Sequence, residues 1–181
     1  MTIQTLPKLG TPSLFQPSEP IVEFDTPELH ALIEDMHDTM IAAKGIGIAA
    51  PQIGVNLRVI MFGFETSERY PQMQPVPFTI LINPEIEILD DEKIYMWEGC
   101  LSIPGLRGKL PRYKKIRYTG FDPQGNPVEG IAEDFHARVV QHEVDHVNGK
   151  LYYLHIEDLH DFGFEEAVME RAILENSRSA S

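Results

Sequence analysis

Between Asp134 and Asn148 the apolar positions fall on two opposite sides of a helix. At about 100° per residue, Phe135, Val139, His142 and His146 share one stripe, and Val140, Val144 and Val147 form a second stripe nearly opposite. A helix apolar on both sides is buried on both sides, so this segment is expected to run through the middle of the domain. Gly149 supplies its stop. An earlier helix starts at Asp25, Thr26 and Pro27 and carries the stripe Leu29, Leu32, Ile33, Met36 and Met40. Lys44 and Gly45 end it, with the glycine expected in the left-handed cap. "LRVIMFG", residues 57 to 63, reads as a buried strand, and "FTILINPEIEIL", residues 78 to 89, as a strand broken near Pro84. "KKIRYTGF" and "PVEGIAE" flank the turn "DPQGN", which predicts a hairpin.

At 181 residues and 43% hydrophobic the chain suits one domain with a sizeable core, without internal repeats. No apolar run reaches membrane-spanning length, and the start "MTIQTLPKLGTPSLF" lacks the basic and apolar regions of a secretory signal. With Cys100 as the one cysteine no intrachain disulfide can form, which suits a reducing cytoplasm. A formal charge of -13 argues against nucleic-acid binding, including sequence-specific binding, because phosphates are repelled. One stretch runs the other way: "RGKLPRYKKIR" carries Arg107, Lys109, Arg112, Lys114, Lys115 and Arg117 with no acid among them. A solvated strand face is the expected role, and a docking surface for an anionic partner is the alternative.

The predicted central helix also carries "VVQHEVDHVNG", residues 139 to 149. Four residues apart on a helix, His142 and His146 aim at one point, with Glu143 beside them. Buried histidines need partners, and two ligands do not hold a catalytic zinc or iron. A third ligand has two sources. Glu165 or Glu166 downstream would give the His₂Glu set of thermolysin-type zinc proteases. Cys100 upstream, in "EGCLSIPG", sits where glycine before and proline after predict an irregular turn, and its thiolate would leave one position open for water.

"GIGIAAPQIG", residues 45 to 54, follows a helix and lacks a Walker lysine, so it does not read as a nucleotide loop. Gly45 and Gly47 around Ile46 leave a clear backbone edge, suited to pairing with a peptide as an added strand. Together "GIGIAAPQ", "EGCLS" and "QHEVDH" resemble the three signature motifs of peptide deformylase. The resemblance runs from "LGTP" to about Phe164 and favours Cys100 over Glu165 as the third ligand. It leaves residues from about 165 to 181 as an acidic extension of a single catalytic domain, partly disordered and frayed at "ENSRSAS".

The resemblance implies an α+β fold, antiparallel strands around a central buried metal-binding helix. It implies a hydrolase that removes the formyl group from N-formylmethionyl nascent peptides and releases formate, with transient ribosome contact plausible from the substrate. Cys100, His142 and His146 would hold Fe(II), with zinc, nickel or cobalt as replacements, and the ion would lower the pKa of water from 15.7 towards ~7. Glu143 would be general base and then acid; the Gln52 side chain and the Leu101 N–H would stabilise the oxyanion. Ile46, Gly47 and Gly99 would pair with the substrate backbone. Phe135 and Val139 would line the methionine pocket, with Arg138 at its rim. Asp145, on the flank of the metal stripe, needs a cation, and Arg112 is the expected partner.

Overall fold

The structure is a computed structural model that describes residues 3 to 68 and 70 to 171. Helix α1 (Pro27–Ala42) begins where the sequence places it: Thr26 caps it by accepting from the Leu29 N–H at 3.2 Å. Its end differs from the expectation. The left-handed residue is Lys44, with φ 54°, rather than Gly45. A lysine tolerates that conformation at a cost of about 1–2 kcal/mol, and the Gly45 N–H still reaches the Met40 carbonyl at 2.9 Å.

Strands β1 (Gly47–Ala49), β2 (Val59–Phe64), β3 (Val76–Cys100), β4 (Ile103–Phe121) and β5 (Pro127–Glu133) form an antiparallel sheet in that order. A further short strand, β6 (Phe162–Phe164), pairs with β4. The predicted hairpin is β4–β5, closed by a turn in which the Asp122 carboxylate accepts from the backbone of Gln124 and Asn126. Pro84 does not break its strand. It sits at a register shift between Ile82 and Glu85, where a residue without an N–H is tolerated, and β3 continues to Cys100.

Strand β5 runs straight into helix α2 (Asp134–Val147), the change of direction taken up by Asp134 at φ 50°. As predicted, α2 is buried on both sides. Val140, Val144 and Val147 pack with Phe62, Leu81, Ile116 and Tyr118 in the main core. The opposite side, bearing the histidines, faces a smaller core of Leu14, Cys100, Ile103, Leu110, Leu151 and Tyr152. Helix ends leave carbonyls without partners; here the Ser18 N–H (2.9 Å) and Arg58 Nη1 (3.4 Å) both donate to Val147 O.

The basic stretch is a solvated face only in its second half. Arg107 and Arg112 are buried, and Lys114, Lys115 and Arg117 pair with Glu92, Glu133 and Glu87. Arg112 Nη1 meets Asp145 Oδ2 at 2.5 Å, the expected pairing, and so ties β4 to α2. Residues 165 to 171 of the expected extension are helical, with Val168 buried; residues 172 to 181 lie outside the described residues.

Two predictions follow from this architecture. Gly149, at φ +70°, would place a Cβ 2.9 Å from the backbone carbons of Phe15 and Gln16, whereas Gly105, at φ +75°, has nothing within 4 Å. Gly149→Ala should cost about 2 kcal/mol or more in denaturant unfolding and Gly105→Ala about 1 kcal/mol, since only the first adds a collision to the left-handed strain; equal losses would contradict the packing. Burial pushes the Asp145 carboxyl up, but His155 and Arg112 outweigh it and hold the group at about 2, below the ordinary 3.8. A lowered folded pKa stabilises above the unfolded value, and that gain is lost as pH falls through the folded one. Asp145→Asn should therefore be less stable than the parent by about 2 kcal/mol near neutrality, the gap closing between about pH 4 and pH 2. Parallel stability curves for the two proteins across that range would refute the assignment.

Candidate metal centre

Three chain segments converge on one cavity. The first is the tip of the β3–β4 hairpin, where Cys100 ends β3 and Leu101 and Ser102 make the turn into β4 at Ile103. The Ser102 N–H points at Cys100 Sγ from 3.4 Å, which fixes the sulfur against its own turn. The second is α2, whose one-turn spacing sets the His142 and His146 ring centroids 5.0 Å apart. The third is β1 with the turn after it, which brings in Gln52.

Cys100, His142 and His146 offer ligand atoms that all lie within 4.8 Å of one another, with Cys100 and His146 buried and His142 nearly so. His146 Nε2 is 3.3 Å from Cys100 Sγ. His142 Nδ1 is engaged by Glu98 Oε2 at 2.9 Å, which leaves Nε2 for the cavity. One sulfur and two imidazole nitrogens, at this spacing and with an open side, are the donor set of a divalent transition metal with a free coordination position. The residues fit such an ion. Burial alone would raise the Cys100 thiol, yet the charges and hydrogen bonds of His146 and His142 bring it down to about 5, the thiolate a metal needs. Burial works against a charged His142, and Cys100 and Glu98 outweigh it, raising this group well above its usual range.

Glu143 lies against the same cavity, 4% exposed. Its Oε2 has no hydrogen-bond partner among the described residues, and burial raises the carboxyl to about 7, with His142 and His146 opposing. Its Oε1 explains one glycine of the "GIGIAA" segment: a Cβ on Gly47 would stand 2.3 Å from it. Gly47 is thus the residue that lets α2 present this carboxylate to the cavity. Gln52, 1% exposed, accepts from the Ala49 N–H at 2.9 Å through Oε1. Its Nε2 is thereby turned towards Cys100 Sγ (3.4 Å) and Ser102 Oγ (3.3 Å).

The expected site residues Ile46, Gly47, Gln52, Gly99, Leu101, Phe135, Val139 and Glu143 all line this cavity. Arg138 borders it too, but from beneath rather than at a rim. It is 3% exposed and donates to Glu98 Oε1 at 2.5 Å and to the carbonyls of Ile94 and Leu110. Its guanidinium is thus committed to a buried carboxylate and two backbone carbonyls. Glu165 is not among the ligands: its carboxylate is taken by Arg107 at 2.7 and 3.0 Å.

Two residues that sequence reasoning passed over matter here. Glu98 accepts from Arg112 Nε (3.0 Å), Arg112 Nη2 (3.1 Å) and Arg138 Nη1 while holding His142. Burial opposes its charge, but Arg112 and His142 hold its carboxyl well below the usual range. Its signal was present, an acid two positions before Cys100 in a strand that enters the core. Tyr70, which also lines the cavity, gave no such signal, because the segment around it has no period.

The polypeptide deformylase family model matches residues 3 to 162. The chain is 55% identical over 166 residues to peptide deformylase 1 of Bordetella pertussis, covering 92% of this chain and 94% of that one. It is 56% identical over 164 residues to peptide deformylase 2 of Ralstonia nicotianae, covering 91% and 93%. Among solved structures, a Met-Ala-Ser-bound class I type b peptide deformylase from Acinetobacter baumannii superposes with TM-score 0.82 at 36% identity, over 86% of this chain and 99% of that one. A peptide deformylase from Thermotoga maritima gives 0.76 at 34% identity, over 87% and 100%. The fold, the Cys-His-His cluster beside a buried glutamate and these likenesses agree: the chain belongs to the polypeptide deformylase family, metal-dependent hydrolases that remove the N-terminal formyl group from new polypeptides.

Proposed function

We propose that this chain deformylates N-formylmethionyl nascent peptides with Cys100, His142 and His146 holding Fe(II), and that nickel, cobalt or zinc can take its place. The observation that carries the reading is Glu143: a buried carboxylate, with one oxygen unpartnered, set beside three metal-ligating side chains. When bound, the divalent ion acts as a Lewis acid that lowers the pKa of water from 15.7 towards ~7. Glu143 Oε2 takes the proton from the attacking water and returns it to the departing peptide nitrogen, so formate and a free amino terminus leave. Its burial keeps that proton from bulk solvent.

Gln52 Nε2, aimed by the bond of its Oε1 to Ala49, and the Leu101 N–H in the hairpin turn donate to the formyl oxygen as it gains charge. Gly47, the first residue of the edge strand β1, Ile46 just before it and Gly99 on β3 pair with the substrate backbone as with an added strand. Phe135 and Val139, on the same stripe of α2 as the histidines, line the pocket for the methionine side chain. The peptide bound to the Acinetobacter relative begins with methionine, which supports this reading. Action on nascent chains places the protein in the cytoplasm, in passing contact with the ribosome. Among the described residues no helix is long and apolar enough to cross a membrane.

Formate release from a formyl-Met-Ala-Ser peptide tests the reading, with protein purified without oxygen and its metal content measured alongside. The parent should release formate. Glu143→Gln should keep its metal and fold while turnover falls by about 10²–10⁴-fold, because only the proton shuttle is removed. Parental turnover in that variant would overturn the role of Glu143, and a metal-loaded parent that releases no formate would overturn the function.

A further inference from the structure

Three hollows share one side chain. Tyr70 lines the cavity of the metal centre, the surface hollow beside Ile41 and Lys44, and another between Trp97 and Met169. It belongs to the connection between β2 and β3, yet it is held from outside that connection. Its ring centroid lies 4.9 Å from that of Phe135 on α2, with the planes at 52°. Arg107 Nη1 on β4 donates to its hydroxyl at 3.0 Å, and the guanidinium carbon lies 5.4 Å from the ring centroid. Arg107 is itself 7% exposed and pinned by Glu165 at the start of the last helical segment. Through Arg107, Tyr70 is thus tied to β4 and to the last helical segment. Its polar end is turned to Arg107, which leaves ring carbon for the apolar pocket.

We propose that Tyr70 is a specificity-determining residue for deformylation. Its ring walls the outer side of the pocket lined by Phe135 and Val139, and it limits the bulk of the first side chain a substrate can carry. The proposal rests on the assignment of that pocket given above. Small differences in an apolar pocket discriminate modestly, about 10–200-fold for a methylene. A fixed wall rejects larger groups by collision. Without the ring, the pocket opens into the two outer hollows and a larger side chain gains room.

The test compares kcat/KM for formyl-Met-Ala-Ser and formyl-Phe-Ala-Ser, and the affinity of the unformylated peptides Met-Ala-Ser and Phe-Ala-Ser for the metal-loaded protein. In Tyr70→Ala the phenylalanine-to-methionine ratio should rise about tenfold or more, in both measurements. Tyr70→Phe, which keeps the ring, should shift it less than about twofold, a factor far below the discrimination at stake. Tyr95→Ala should leave the ratio unmoved: this exposed tyrosine lines one outer hollow but not the metal cavity. If Tyr70→Ala does not fold, Tyr70→Leu carries the same comparison, with the same direction expected. Loss of both substrates in equal measure, or an unchanged ratio, would overturn the proposal and leave Tyr70 as a prop of its connection. Should the parent deformylate neither substrate, the functional reading falls, and the peptide affinities alone then decide whether Tyr70 sets the pocket.

Discussion

The site depends on one buried carboxylate. Glu98 receives hydrogen bonds from Arg112 on β4 and Arg138 on α2 and meets Nδ1 of His142, so one side chain of β3 locks three elements together. Two guanidinium groups and a carboxylate out of water are costly to desolvate, and removing one partner of such a network typically costs about 3–5 kcal/mol because the rest stay buried and unpaired. The arrangement is therefore weak as a source of stability and strong as a constraint on geometry. It fixes which nitrogen of His142 faces the cavity, and with it the direction from which that residue can hold a metal.

Around that anchor the remaining parts are placed by close approach rather than by charge. The hairpin tip curls so that the Ser102 N–H meets Cys100 Sγ, and Gln52 is turned to the same sulfur by its bond to Ala49. Glycine at position 47 lets β1 lie against Glu143, and any Cβ there would collide with the carboxylate. Three side chains that can hold a metal and a buried carboxylate thus meet at one place. Burial there raises the affinity of Glu143 for a proton, while the neighbouring imidazoles draw one off Cys100.

Parts of this were legible in the chain. The helical period placed His142, His146, Phe135 and Val139 on one stripe, and two-sided apolarity showed that α2 is central, because both signals are local. Cys100 became the third ligand only through resemblance, since its approach to α2 is a tertiary fact that no local spacing carries. The length of β3 was hidden for another reason. Register shifts at Ile82/Glu85, Ile88/Asp90 and Asp90/Lys93 break the alternation that marks a strand, and the strand reads only as far as Leu89. Two arginines of the basic stretch are buried, which the chain does not announce because their acids lie elsewhere in sequence: Arg107 finds Glu165, and Arg112 finds Glu98 and Asp145. Arg138, expected at the rim of the methionine pocket, is drawn inward by Glu98, a partner that no local pattern announces.

The central claim is that one thiolate and two imidazoles of this chain hold the catalytic ion. X-ray absorption at the metal edge, on protein purified without oxygen, tests it most directly. The account predicts an iron edge with one sulfur and two imidazole neighbours, and loss of the sulfur contribution in Cys100→Ser, where a harder and less basic oxygen replaces the thiolate. A metal shell made only of nitrogen and oxygen in the parent protein would contradict it.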